Sequence, residues 1–274
     1  MEPFTHPGPV QEMSGFVPLY IAAFVLGACI GSFLNVCIYR LPAGRSIVHP
    51  GSSCPKCGHS IRWWENIPIV SWILLRARCS SCSASISVRY PLVELLTGLL
   101  SVLLIYKFGL TINYLVYLLF TAALIAITFI DLDHRIIPDS ISLPGILMGF
   151  AVSFIVPRPS PLDSLIGIVL GGGILYLITW GYYLLTKKIG MGGGDIKLLA
   201  MIGAFLGWQS LPLVIFISAM TGSIIGLVMM AVAKGGRYYQ IPFGPFLALG
   251  ALVDLFAGDQ ILNWYLSILS SPGV

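Results

Sequence analysis

Long apolar runs, set one after another with short polar gaps, restrict this chain more than any other feature. Read by apolar length, candidate membrane spans fall at about residues 16–38, 91–107, 112–130, 140–156, 164–186, 196–208, 211–233 and 243–266. A hydrocarbon core about 30 Å thick takes roughly 20 apolar residues in a helix, and in lipid every backbone polar group must be satisfied within its own segment. The expected fold is an all-α polytopic membrane protein with about eight transmembrane helices, the second, fourth and sixth runs being the short ones. Composition points the same way, with 57% apolar residues, 9% charged and a mean hydropathy of +0.92. Residues 1–15 hold Glu2 and Glu12, no Lys or Arg, and no A-x-A cleavage pattern. The first run is therefore read as a retained helix and not a signal peptide.

Basic residues set the expected orientation. With the N-terminus outside and eight alternating spans, the inside loops carry Arg40, Arg45, Lys56, Arg62, Arg76, Arg78, Arg89, Arg135, Lys187, Lys188, Lys197, Lys234 and Arg237, and the outside only Lys107 and Arg158. Thirteen against two is a strong positive-inside bias. The net charge of +4 then reports topology and contact with anionic lipid, and no nucleic-acid partner is expected.

Residues 39–90 form the one long hydrophilic insert, cytoplasmic by this count and too small to build a large core, so a staple is expected. Cys54-Pro-Lys-Cys57, 21 residues, then Cys79-Ser-Ser-Cys82 match a tetrahedral four-thiolate zinc site. Disulfides are disfavoured by a reducing cytoplasm, and a thioredoxin-like motif needs a single C-x-x-C in a βαβ setting. An iron–sulfur cluster stays open with four cysteines. Cys29 and Cys37 lie in the first run and read as packing residues. His49 and His59 flank the knuckles, and His59 reads as a loop residue, since four thiolates complete the shell. The aromatic stretch Trp63–Trp72 suits a membrane interface or a contact face. No internal repeat stands out in the sequence.

Two acidic positions abut apolar runs. The segment Gly190–Leu198 places Asp195 directly after Gly192, Gly193 and Gly194, glycines that permit positive φ and close approach of another chain. The third run ends in Asp131, Asp133 and Asp139, the last placed as a helix N-cap after Pro138. One reading makes these acids markers of helix ends. The other starts from topology: two runs separate Asp131 from Asp195, so the chain returns to the same face and both carboxylates sit at similar depth. Two carboxylates that approach each other share a proton, so one can activate water while the other protonates a scissile amide.

At this point a family resemblance is visible. Gly31-Ser32-Phe33-Leu34-Asn35-Val36 with Tyr39-Arg40-Leu41-Pro42, the paired C-x-x-C knuckles, Trp64-Glu65-Asn66-Ile67-Pro68, Arg89-Tyr90-Pro91-Leu92-Val93-Glu94, Asp131 with Arg135 and Pro138, and Gly192-Gly193-Gly194-Asp195 all match. The chain resembles the type IV prepilin leader peptidases, bifunctional integral-membrane aspartic endopeptidases and N-methyltransferases with a G-x-G-D motif. The resemblance implies that Asp131 and Asp195 are the catalytic pair, with Asp133 the rival for the first role. It implies that Gly192, Gly193 and Gly194 support the substrate and that Cys54, Cys57, Cys79 and Cys82 bind zinc. The implied substrate is a prepilin or pseudopilin, cut after Gly at the cytoplasmic face of the bacterial inner membrane and then N-methylated from S-adenosylmethionine. It divides the chain into an N-terminal segment and first helix (1–38), a zinc-binding, methyltransferase-associated insert (39–90) and a transmembrane peptidase domain (91–274). Ala77 departs from the Gly expected before the basic residue of the second knuckle, which leaves a peptidase without methyltransferase activity as the alternative.

Other classes fit less well. A proton-coupled transporter wants acids at the midplane of broken helices and inverted repeats. A non-catalytic assembly scaffold does not require both aspartates. A metalloprotease wants H-E-x-x-H, which the chain lacks. Asp254, inside the last run, reads as a polar contact between helices.

Overall fold

The computed structural model describes residues 9–188, 192–232 and 241–270. Lys234, Arg237, Glu2, Gly190 and the end of the seventh predicted run therefore lie outside the described residues. Nine helices are present among those described: α1 (Pro9–Arg40), α2 (Val70–Leu74), α3 (Arg89–Phe108), α4 (Ile112–His134), α5 (Asp139–Val152), α6 (Pro161–Thr186), α7 (Gly193–Leu206), α8 (Leu211–Val232) and α9 (Gly244–Ser270). Every predicted apolar run contains a helix. Six stretches are long and apolar enough to cross a membrane: Val17–Arg40, Arg89–Phe108, Ile112–His134, Pro161–Thr186, Trp208–Val232 and Gly244–Ile268. The second run, short on paper, gains a full span because α3 starts at Arg89 and runs for 20 residues. Helices α5 and α7 have 14 residues each, about 21 Å of helix against a core of about 30 Å. The eight predicted segments are thus eight helices, of which six have spanning length.

The chain divides into two compact units, Met1–Cys37 with Ser46–Ala122, and Ile38–Arg45 with Ala123–Val274. In the first, α1 and α3 meet along glycines. A Cβ on Gly27 would lie 2.6 Å from Ser101 Cβ, and one on Gly31 would lie 2.7 Å from Glu94 Cα. Gly27 and Gly31 have the G-x-x-x-G spacing that lets two helix backbones touch. The buried Ser101 hydroxyl donates to the Ala23 carbonyl at 2.7 Å and pairs with Tyr114 Oη at 2.9 Å, so α1, α3 and the start of α4 share one satisfied polar point. Cys37 is buried as expected of a packing residue, whereas Cys29 is exposed.

The insert has no strands among its described residues, yet its two knuckles repeat one backbone pattern. Cys54 N–H donates to His59 O and Gly58 N–H to Cys54 O, both at 2.9 Å; Cys79 N–H donates to Ala84 O at 2.8 Å and Ser83 N–H to Cys79 O at 3.0 Å. An isolated antiparallel bridge closes each knuckle, Ser53 to Ser60 and Arg78 to Ser85. The position four after the first cysteine is left-handed in both, with φ 72° at Gly58 and 56° at Ser83. The shared geometry follows the C-x-x-C-x-x-Ser-Ile pattern that both knuckles carry, at residues 54–61 and 79–86.

The second unit is built around α7. Residues Leu198 to Phe205 are buried without interruption, as a helix apolar on all sides must be. A Cβ on Gly145 of α5 would meet the Met201 side chain and one on Gly149 would lie 2.7 Å from Ala204 Cβ, while on α6 Gly167 abuts Gly203 and Gly171 abuts Leu199. The hydroxyl of Ser164 donates to Ala204 O at 2.8 Å. Beyond α7, Asp163 accepts from Trp208 Nε1 at 3.0 Å and Gln209 Nε2 at 2.8 Å, tying the α7–α8 turn to the start of α6. This packing fixes the helix that carries Asp195 at its first turn.

Candidate active site and metal centre

Asp131 lies in the last turn of α4, on the face shared with the fully buried Ile127 and Ile130, and is 5% exposed. Asp133, two residues on, is exposed. Helical geometry alone separates them, since residues two apart point to different sides. The helix stops at once: Arg135 takes φ 56° and its N–H closes on Asp131 O at 2.9 Å. Oδ2 of Asp131 accepts the Gly244 backbone N–H at 2.9 Å. Gly244 is the first residue of α9, so this unpaired helix-terminal N–H meets a carboxylate. A Cβ on Gly244 would lie 2.7 Å from Oδ2 and 3.3 Å from Ile137 Cδ1.

Asp195 occupies the first turn of α7, with Gly192 as N-cap. Its carboxylate accepts from the Gly192 backbone and lies within electrostatic reach of Asp131. The three glycines before it differ in role. Gly194 sits against Ile137, where a Cβ would come within 2.8 Å of Ile137 Cβ; Gly193 has open space; Gly192 lies beside the Asp195 carboxylate. None of them needs a left-handed backbone, so close approach and open space, not positive φ, are what the glycines provide here. Ile137, packed against both Gly194 and the Gly244 position, is the apolar wall common to the two acids.

Asp139 is not the N-cap. That place is taken by Pro138, whose φ of −65° and ψ of 129° suit it, and Asp139 is in the first helical turn. Its carboxylate pairs with Lys197 Nζ at 2.7 and 2.8 Å, joining α5 to α7 on an exposed edge. Such a pair contributes about 0.2–1 kcal/mol. Asp254 is half-buried in α9, with Gly258 one turn on where a Cβ would lie 2.8 Å from its Oδ1.

In the first unit the ligand atoms of Cys54, Cys57, Cys79 and Cys82 all lie within 4.8 Å of one another, and Cys54 Sγ to Cys82 Sγ is 3.8 Å. A tetrahedron with metal–sulfur bonds of 2.3 Å has edges of about 3.8 Å, so the four sulfurs fit a zinc-sized ion. The Cys54 thiol is pulled down to about 6 by the backbone N–H groups of Cys57 and Lys56, while the neighbouring cysteines push Cys82 up to about 11. His59 does more than a loop residue. Its Nε2 lies 3.2 Å from Glu65 Oε2 and 3.3 Å from Ser80 Oγ, linking the first knuckle to the second. Hydrogen bonds from Ser80 and from the Arg62 N–H hold the Glu65 carboxyl down to about 2. The neighbouring Trp63 and Trp64 are 78% and 48% exposed and meet edge to face.

Ala77 has φ 58°. An L-residue there carries a cost that Gly avoids, which explains why Gly is the expected occupant.

Residues 25–108 match the bacterial peptidase A24 N-terminal domain, and residues 118–227 match the type IV leader peptidase family. The chain belongs to the type IV leader peptidase family. Among curated relatives, the prepilin leader peptidase/N-methyltransferase of Stutzerimonas stutzeri is 44% identical, covering 94% of this chain and 98% of its own length. That of Pseudomonas aeruginosa is 42% identical over 90% and 93%. That of Myxococcus xanthus is 44% identical over 78% of this chain and 64% of the relative. No solved structure matches the chain. Within this family, Gly244 is the site neighbour that sequence reasoning passed over. Its signal was Pro242-Phe243-Gly244-Pro245-Phe246, a glycine between two prolines at the head of an apolar run.

Proposed function

We propose that this chain is a prepilin leader peptidase and N-methyltransferase of the inner membrane. It cleaves the basic leader of a prepilin or pseudopilin after Gly and then methylates the new N-terminal amine from S-adenosylmethionine. One observation carries the peptidase half: Asp131 and Asp195, at the ends of two separate helices, come within electrostatic reach in a site walled by Ile137 and capped by the Gly244 N–H. Two carboxyls so placed share one proton. The ionised member takes a proton from water as the water oxygen attacks the scissile carbonyl, and the protonated member donates to the carbonyl oxygen. The tetrahedral intermediate collapses with proton transfer to the leaving amine. The Gly244 N–H orients Asp131, and the open space at Gly193 supports entry of an extended peptide.

The methyltransferase half rests on the named relatives and on the N-terminal domain match. Zinc is the ion we assign to the four cysteines, on the strength of four thiolates at tetrahedral spacing. It would hold the two knuckles together and supply fold rather than chemistry, since a four-thiolate shell has no open position. Residues 39–90 would serve methyl transfer and 91–274 would carry peptide cleavage. The N-terminus would lie outside, with the insert and both aspartates at the cytoplasmic face, as the thirteen-to-two basic bias supports.

The test is incubation of the purified full chain in detergent with a prepilin peptide and S-adenosylmethionine, with product masses read out. A product cut after Gly and carrying one methyl group supports the proposal. A folded, metal-loaded protein that cuts none of several prepilins contradicts it.

A further inference from the structure

Two sequence signatures remain once the aspartates and cysteines are placed: Gly31–Val36 on α1 and Arg89–Glu94 on α3. They meet within the first unit because Gly31 lets α1 approach the Glu94 backbone. Glu94 is 7% exposed and Asn35 is 5% exposed. Glu94 Oε2 accepts the Ile69 backbone N–H at 2.7 Å, and the Ser32 hydroxyl hydrogen-bonds the same carboxylate. Asn35 Nδ2 donates to Tyr90 O at 3.1 Å, one helical turn before Glu94, and leaves Oδ1 buried with no partner. Ser32 and Asn35 are three apart on α1 and so share a face.

Of these groups Asn35 Oδ1 is buried with no donor at all, and Glu94 keeps acceptor capacity beyond the two donors it has. A carboxylate offers about four acceptor positions, and the structure fills two, from Ile69 and Ser32. Neither ion pair described here, His59 with Glu65 or Lys197 with Asp139, involves Glu94. A buried charge without a cation and a buried amide oxygen without a donor are both costly. An alkylammonium has three N–H donors and no acceptor, and Glu94, Asn35 Oδ1 and a lone pair of Ser32 Oγ would complete it. Ser32 is half-buried, the most accessible of the three. Ile69 holds φ 63°, a conformation a β-branched residue rarely adopts, and its N–H fixes the orientation of the carboxylate.

We propose that Ser32, Asn35 and Glu94 form a receptor for an aliphatic ammonium, the α-amine of the cleaved peptide that is to be methylated, with Glu94 as the base that takes its proton. This rests on the methyltransferase half of the function above. The proton passes from the ammonium nitrogen to a Glu94 oxygen. The freed lone pair forms a bond to the sulfonium methyl carbon of the donor as the carbon–sulfur bond breaks, its electron pair going to sulfur. A secondary ammonium and a neutral thioether result.

The donor also carries an α-ammonium, so the experiment separates the two sources. Methyl transfer to a pre-cleaved pilin-like peptide is measured with full-length wild type, Glu94→Gln and Asn35→Ala, alongside metal content and leader cleavage. A free-amine product peptide and its des-amino analogue serve as competitors. Glu94→Gln is expected to lower kcat for methyl transfer about 100-fold or more, in line with loss of a general base, with cleavage and metal retained. Asn35→Ala is expected to raise the peptide KM about tenfold, the scale of one hydrogen bond to a charged group, with the S-adenosylmethionine KM unchanged. Wild type should prefer the free-amine competitor about tenfold on the same reasoning, and both variants should lose that preference. Near-wild-type methyl transfer and competition in both variants overturns the inference. So does a rise confined to the S-adenosylmethionine KM, which would place the donor's own ammonium there. Wild type that cleaves but never methylates would remove the underlying function instead.

Discussion

Replacing Gly244 with Ala should cripple peptide cleavage although Gly244 is a backbone contact far from either aspartate in sequence. The added methyl would stand 2.7 Å from Asp131 Oδ2 and 3.3 Å from Ile137 Cδ1. A separation under 3 Å cannot persist, so either α9 retreats or the Asp131 carboxyl turns. Both movements break the 2.9 Å bond from the Gly244 N–H. A hydrogen bond to a charged group is worth about 1.5–3 kcal/mol, and each 1.36 kcal/mol is tenfold in rate. The expected loss in kcat is therefore roughly 10- to 150-fold. The assay is initial-rate cleavage of a prepilin peptide in detergent, with Gly173→Ala as control, since a Cβ at Gly173 meets nothing within 4 Å. Gly244→Ala cleaving within twofold of wild type would refute the reasoning, because the methyl would then have been absorbed without disturbing Asp131.

Cys54→Ser or Cys79→Ser should release the metal and expose residues 39–90 to protease, read by metal analysis and limited proteolysis; unchanged metal content would count against the site. Ala77→Gly should stabilise the insert by about 0.5–1 kcal/mol, once the left-handed cost at φ 58° is set against the extra chain entropy of glycine, and so raise its thermal midpoint; a lower midpoint would contradict this. Glu65→Gln should loosen the same insert by replacing the charged carboxylate shared by Ser80, the Arg62 N–H and His59 with a neutral amide that has one acceptor oxygen fewer. A carboxyl held down to about 2 contributes above its unfolded value, near 4.5, and loses that contribution only as pH falls towards 2. The difference in protease resistance between wild type and Glu65→Gln should therefore be present at pH 5 and shrink as pH falls from there towards 2, and a difference unchanged between pH 5 and pH 2 would be inconsistent with the assignment.

Much of the fold was legible because lipid imposes a length rule. Each apolar run contains a helix, and the run at 91–107 proves to be a full span once Arg89 and Tyr90 are counted in. Helices α5 and α7 are where that rule was weakest, since a helix buried in protein and a helix in lipid have the same composition; Leu198 to Phe205 are apolar because they face α5 and α6. The cysteine cluster was legible from spacing, since two C-x-x-C pairs can bring four sulfurs together, and they lie within 4.8 Å of one another. Burial favours Asp131 over Asp133, a choice that spacing to Pro138 alone had carried. What stayed hidden are contacts made through backbone and across long separations. The Gly244 N–H on Asp131 spans 113 residues, and His59 joins Glu65 to Ser80 by a fold of the knuckles that no local pattern announces. Asp139 reads as a cap because Asp is a favoured N-cap residue, whereas here Pro138 holds that place and Asp139 pairs with Lys197 on the neighbouring helix.

The central claim is that Asp131 and Asp195 share one catalytic proton. Single Asp→Asn replacements at 131, 133 and 195 test it most directly, each assayed for leader cleavage and for methylation of a pre-cleaved peptide. Cleavage is expected to be lost at 131 and 195 and retained at 133, with methylation intact in all three. Cleavage surviving in Asp131→Asn or Asp195→Asn would contradict it.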